Sequence, residues 1–177
     1  MQSRTSETIP EKLNEISEII SKPESLSSVS EGSKVIVMIV APKEETTAVE
    51  NLKQRFEGKL HFMNVGEFLV DTARQYGVTT LEEDFDFIGK SAIRSFSQKL
   101  LDRINKEIID SSKKNELTAI HRLGVLNGFF GLNPIIEAVA GQLANPVLVI
   151  YPGKRKDKIL TFLDGRHSTS IYRAKIV

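Results

Sequence analysis

Residues 145–153, NPVLVIYPG, constrain the fold more than any other stretch of this 177-residue chain. Between Pro146 and the turn pair Pro152-Gly153 stand Val147, Leu148, Val149, Ile150 and Tyr151, with no charge among them. An alternating pattern would leave one face of a strand to water. A continuous apolar run requires cover on both faces, as in the interior of an α/β sheet. The run is therefore expected to be the central strand. A basic turn, KRKDK, follows at once, and a second apolar run at 159–163 predicts a hairpin with a short charged loop.

Residues 34–41, KVIVMIVA, give a second buried strand, β-branched almost throughout and stopped by Pro42. Upstream, Thr8 and Glu11 stand at capping-box spacing with Pro10 in the first turn, and Leu13, Ile16 and Ile20 recur at helical intervals, predicting a helix over 9–21. The segment SKPESLSSVSEGS reads as a Ser-rich connecting loop. The chain thus divides into an N-terminal helix and linker, 1–33, and an α/β domain, 34–177.

Within that domain Thr47 and Glu50 repeat the capping spacing ahead of a helix ended by Gly58, and residues 60–65 resume a strand, so 34–65 reads as a right-handed βαβ unit. A helix at 66–76 stops at Gly77, a short capped turn starts near Thr80 and Glu83, and a long helix at 91–113 carries Ile93, Phe96, Leu100, Ile104 and Ile108 in one stripe. A strand from Leu117 opens into the loop GVLNGFFGLN. Asn133 and Pro134 are placed to begin the next helix, and a last strand is expected over 171–177 after the turn DGRHSTS. The fold class that follows is α/β: a single three-layer domain with a mostly parallel sheet, Rossmann-like or P-loop-like, with an antiparallel C-terminal hairpin and an edge strand.

The chemistry is narrower than the fold. With 24 Lys and Arg against 23 Asp and Glu, the net charge of +1 gives no overall field toward nucleic acid or an acidic membrane. The absence of cysteine excludes disulfides, thiolate nucleophiles and thiolate zinc sites. No apolar run is long enough to span a bilayer and the N-terminus has no signal-peptide core, so a cytoplasmic, non-membrane protein is expected. The loop APKEETTAVE after the first strand has no glycine, there is no Walker A sequence, and Glu44 and Glu45 would repel phosphate. Gly124, Gly128 and Gly131 do not have dinucleotide spacing, and Phe129 and Phe130 read as buried or partner-facing aromatics.

The acidic run Glu82, Glu83, Asp84 and Asp86 lacks EF-hand order and reads as a solvated helix start. His61, His121 and His167 are dispersed without a nucleophile elbow, and His121 beside Arg122 reads as a core or strand-end residue. Lys154, Arg155, Lys156 and Lys158 form the densest basic patch, a candidate for partner contact, without the aromatic interleaving that single-strand stacking uses. No catalytic, cofactor or metal residues are assigned; the candidate partner-binding residues are Phe129, Phe130, Lys154, Arg155 and Lys156.

The C-terminal third resembles the BrxB family, a small component of BREX bacteriophage-defence systems. The resemblance rests on Gly124, Gly128 and Phe129 in a loop, Pro134 leading a helix that ends at Leu143, and then Pro146, Tyr151, Pro152 and Gly153. Leu160, Phe162, Tyr172, Arg173 and Ala174 complete the series. Residues 117–177 carry the likeness specifically, and 34–114 only as an order of elements. The loop is longer and richer in glycine than the family's, and GKRKDK replaces an acidic and aromatic turn.

The resemblance implies an α/β fold without phosphate machinery and a non-catalytic adaptor role. The implied partner is a PglZ-type alkaline-phosphatase-like protein, with the BREX ATPase and methyltransferase as further neighbours, no cofactor, and no direct contact with nucleic acid. Two readings from other classes remain beside it: a divergent nucleotide-binding or phosphoryl-handling enzyme using the loop at 124–131, and a DNA-contacting module using the basic hairpin.

Overall fold

The computed structural model describes residues 7–156, 159–162 and 168–177. Among these residues seven strands, β1 (Val35–Val40), β2 (Leu60–Asn64), β3 (Leu117–His121), β4 (Val147–Lys156), β5 (Ile159–Phe162), β6 (Ser168–Ser170) and β7 (Lys175–Ile176), form one sheet. Its parallel part runs β2-β3-β4-β1-β7. The strand expected at the centre is there: β4 pairs with β1 from Val35↔Val147 to Val40↔Pro152 and with β3 on its other side. The antiparallel pair of β4 with β5 is also present, extended by β6, which lies within the segment expected to be only a turn. The last strand is shorter than 171–177; β7 adds to the outer edge of β1 in parallel.

The described residues include seven helices, α1 (Ile9–Ser21), α2 (Pro23–Val29), α3 (Glu45–Arg55), α4 (Val65–Tyr76), α5 (Val78–Ile88), α6 (Lys90–Lys114) and α7 (Leu132–Val139), of which all but α5 bury residues in the cores. Alternate strand residues feed two cores. Val35, Val37, Ile39, Val147, Val149 and Tyr151 pack beneath α6 and α7, whereas Ile36, Met38, Val40, Leu148 and Ile150 pack beneath α1, α2 and α3. This is the three-layer arrangement that a continuous apolar strand demands.

Three expectations are refined or corrected. First, the unit expected over 34–65 is present as two parallel strands of one sheet joined by α3, but β4 and β3 stand between β1 and β2, an order that periodicity did not give. The chain crosses from β1 to β2 by α3 on one face and returns through β3 to β4 by α4–α7 on the other. Reversing direction while changing face keeps the crossovers of one hand.

Second, the Ser-rich linker contains α2. Leu26 is fully buried against the second core, and Ser30 and Ser33, also buried, spend their hydroxyls on backbone. Ser30 Oγ donates to the Leu26 carbonyl at 2.6 Å and accepts from the Lys34 N–H, while Ser33 Oγ donates to the Arg173 carbonyl. Third, α3 and α5 begin at Glu45 and Val78, ahead of the starts expected at Thr47 and Thr80.

The capping pair at α1 is as expected, with Glu11 Oε2 accepting from the Thr8 N–H at 2.7 Å. Pro152 and Gly153 do not turn the chain; they are strand residues where β4 passes from the parallel sheet into the hairpin. A side chain at Gly153 would place its Cβ 2.3 Å from the Thr161 carbonyl oxygen and 2.8 Å from Tyr151 Cε1, so only glycine fits.

Replacing Leu26 by Ala tests whether α2 is part of the core. The expected outcome in chemical denaturation is a loss of about 2–5 kcal/mol, the range for emptying a buried leucine site; a loss near zero would return the segment to the status of a linker.

Candidate functional site

The carboxyl ends of β1, β3 and β4 meet at one end of the molecule, where open parallel sheets place their ligand sites. The sequence there is not phosphate-binding. After β1 the chain makes a short 3₁₀ turn, Pro42–Glu44, and enters α3 at Glu45, which is only 7% exposed. The Glu45 carboxylate accepts from the Arg122 N–H at 2.7 Å through Oε1, and its Oε2 lies 3.8 Å from the Arg122 guanidinium. Arg122 Nη2 also donates to Thr46 Oγ1 at 3.4 Å.

Arg122 needs this support. Its φ of +64° lies in the left-handed region, which costs a residue with a Cβ about 1–2 kcal/mol. The buried carboxylate thus holds the turn by which the chain leaves β3. Sequence reading took Glu45 for part of a solvated loop, and nothing local marks it otherwise: its partner is 77 residues away.

His121, the last residue of β3, packs edge-on to Phe62 with ring centroids 5.9 Å apart, and its buried Nδ1 meets no hydrogen-bond partner among the described residues. Burial pushes its pKa down, Glu45 opposes that shift, and Arg122 and Lys53 add to it. His61 is exposed on β2, three register positions from the Asn64↔His121 pair, so these two histidines do not converge. His167 lies outside the described residues.

Beyond Arg122 a 3₁₀ turn, Leu123–Leu126, leads into the glycine-bearing loop. Phe129 is held against Phe96 on α6 at 5.6 Å, and Phe130 is half-buried. Both line a cavity of about 350 Å³ together with Leu126, Tyr151, Phe162 and Thr169. Tyr151 and Phe162 pack on each other at 5.3 Å across the β4–β5 junction.

Among the described residues, none of those lining this cavity carries a charged side chain. Asn133 is not the cap of α7, which starts at Leu132 after Gly131. Its Nδ2 instead donates to Thr169 Oγ1 and the Ser170 carbonyl, both at 2.9 Å, tying β6 to the helix.

Of the five candidate partner-binding residues, Phe129 and Phe130 belong to the cavity. Lys154, Arg155 and Lys156 are exposed and lie on β4 itself, opposite Thr161, Leu160 and Ile159, not in a turn. Lys158 lies outside the described residues. The acidic residues 82–86 lie inside α5, not at its start. Among the described residues no three His, Asp or Glu side chains stand together as metal ligands, and no helix is long and apolar enough to cross a membrane. Comparison with protein-family models, curated proteins and solved structures gives no match.

Two outcomes are expected. Glu45→Ala strips the Arg122 N–H of its acceptor and should lower stability by about 1–3 kcal/mol in denaturant titration. For His121, the folded pKa lies below the ordinary value of about 6.5, so the unfolded chain binds more protons between the two. Stability is therefore full above that value and falls as pH drops through it toward the folded pKa; His121→Phe should flatten this acid limb in melts recorded from pH 7.5 to 5.

Proposed function

We propose that this chain is a non-catalytic, protein-binding subunit, and that the assembly it serves is a BREX-type bacteriophage-defence complex in which its partner is a PglZ-type alkaline-phosphatase-like protein. The observation that carries the protein-binding reading is helix α5. It has no buried residue, and Phe87 is 91% exposed, with Val78, Phe85 and Ile88 each about half exposed. A single apolar side chain at a surface is ordinary, but four on an eleven-residue helix suit a contact surface.

Charge defines the partner's side of that contact. Glu82, Glu83, Asp84 and Asp86 share the helix with no Lys or Arg, and among the described residues none of the four forms an ion pair; Asp84 instead accepts from the Tyr76 hydroxyl at 3.0 Å. An exposed aromatic among uncompensated carboxylates favours a surface bearing Lys or Arg beside an apolar anchor. The defence assignment rests on the ordered series from Gly124 to Ala174. The absence of a phosphate-binding loop in the sequence accords with a non-catalytic role.

Co-expression tests both parts. The wild-type chain is expected to co-elute with a PglZ-type protein, and Phe87→Ser, which removes an exposed ring, should weaken that association tenfold or more while leaving the melting temperature unchanged. A chain that elutes alone from the PglZ-type protein, the ATPase and the methyltransferase would sink the adaptor reading.

A further inference from the structure

Among the described residues β2 pairs on one side only, with β3, and its other side is a free sheet edge. The ladder says which backbone groups lie on that edge. In a parallel pair the N–H and C=O of one residue point to the same side, and those of the next residue to the other. The Leu117 N–H donates to the Lys59 carbonyl at 3.2 Å, so Lys59, His61 and Met63 address β3. Leu60, Phe62 and Asn64 therefore turn their backbone groups outward. Only the Asn64 carbonyl is partly engaged, because Asn64 is the N-cap of α4 and its carbonyl takes the first N–H of the helix.

Proteins ordinarily guard such an edge with charge, proline, a bulge or a covering segment. β2 contains no Asp, Glu, Lys, Arg or Pro, and its register with β3 runs one to one from Leu60↔Leu117 to Asn64↔His121, without a bulge. Lys59, just ahead of the strand, is occupied by Glu116 at 3.4 Å.

We infer that β2 pairs with the β2 strand of a second copy of this chain, antiparallel about a two-fold axis at Phe62. The edge is its own complement. Reversal about Phe62 sets Phe62 against Phe62, Leu60 against Asn64 and His61 against Met63. The N–H and C=O of Phe62 then meet their own counterparts, the Asn64 N–H meets the Leu60 carbonyl, and the Leu60 N–H meets the second lone pair of the Asn64 carbonyl.

No like charges are opposed along the strand, and the half-buried Phe62 rings form a cross-strand aromatic pair. A foreign extended peptide would take its specificity from side-chain pockets beside the edge. Neither the aromatic cavity nor a second one at Asn133, Glu137 and Arg173 includes a β2 residue. Pairing uses up the edge of both copies, and β7, two residues long, offers little for a third, so assembly closes at a dimer. β2 and α5 are separate elements, so this contact and the α5 contact fail or hold independently.

Sedimentation velocity on the full chain, from about 10 μM to 1 mM, spans the affinities of small interfaces. Lys53 Nζ lies 5.4 Å from the Phe62 ring centroid and stands near the axis in both copies, so about 0.15 M salt is used to screen that repulsion. A concentration-dependent monomer–dimer equilibrium is expected. His61→Lys, at an exposed position, should weaken it about tenfold with the melting temperature unchanged, because the like charges sit diagonally across the axis and the change is repeated on both copies.

The chain has no cysteine, so a single substitution reports position. Phe62→Cys puts two thiols on opposed residues whose Cα atoms stand about 5.5 Å apart, within disulfide reach, and mild oxidation should link them. In His61→Cys the two positions are diagonal, about 7–8 Å apart, and linking should be much slower. If Phe62→Cys does not fold, the His61→Lys equilibrium decides alone. A monomer throughout the concentration range, species that grow beyond a dimer, or a dimer indifferent to His61→Lys overturns the proposal, as does linking no faster at position 62 than at 61.

Discussion

The parallel pairing of β1 with β4 is the constraint on which the molecule depends. Six successive pairs, Val35↔Val147 to Val40↔Pro152, lie in the sheet with every member buried. Backbone groups in this ladder satisfy one another, while the side chains alternate into two separate cores. Neither core can be left open, so a helical layer on each face is obligatory. The edges are treated differently. β2 is only partly covered, and β7 is a two-residue strand that leaves little free ladder for another chain to extend.

What was legible in the sequence followed from how each signal arises. Unbroken apolar runs gave β1 and the first half of β4, because burial on both faces leaves its mark in every residue. The stripe from Phe96 to Ile108 gave α6, since a long helix repeats its pattern often enough to be read. α2 escaped because its seven residues include three serines and a single buried leucine. Ser25 Oγ donates to the Lys22 carbonyl, and Ser30, just past the helix end, donates to the Leu26 carbonyl, so serine here closes turns of the helix.

Strand order was not legible, because hydrophobic periodicity reports which face is buried and not which neighbour covers it. The candidate site divided along the same line. Phe129 and Phe130 stood out as paired aromatics among glycines, whereas Tyr151 and Phe162 were read as apolar strand residues and as members of the family series, not as a site. The charged triplet was taken for a turn because charge interrupts the apolar run; β4 continues instead, since beyond Pro152 it has left the covered sheet. Glu45 and Arg122 lie beyond local reading altogether: the burial of one and the left-handed turn of the other are set by a contact across 77 residues.

The two ends of the sheet are built for different purposes. At the amino end the loops are laced to one another: Lys34 Nζ donates to the Ala144 carbonyl, Asn145 Nδ2 to the Asn115 carbonyl, the Ala144 N–H to Ser112 Oγ, and Ser33 Oγ to the Arg173 carbonyl. Such a network closes that end and fixes strand register. At the carboxyl end the corresponding loops are 3₁₀ turns, a strained arginine and a glycine-bearing segment that stands away from the sheet to leave a cavity. Strain and open volume both cost stability, and the Glu45 contact offsets the first without closing the second. A chain whose amino end is sealed and whose carboxyl end is propped open concentrates its binding capacity where parallel sheets generally hold it, even though the glycine-rich phosphate machinery of that position is absent from this sequence.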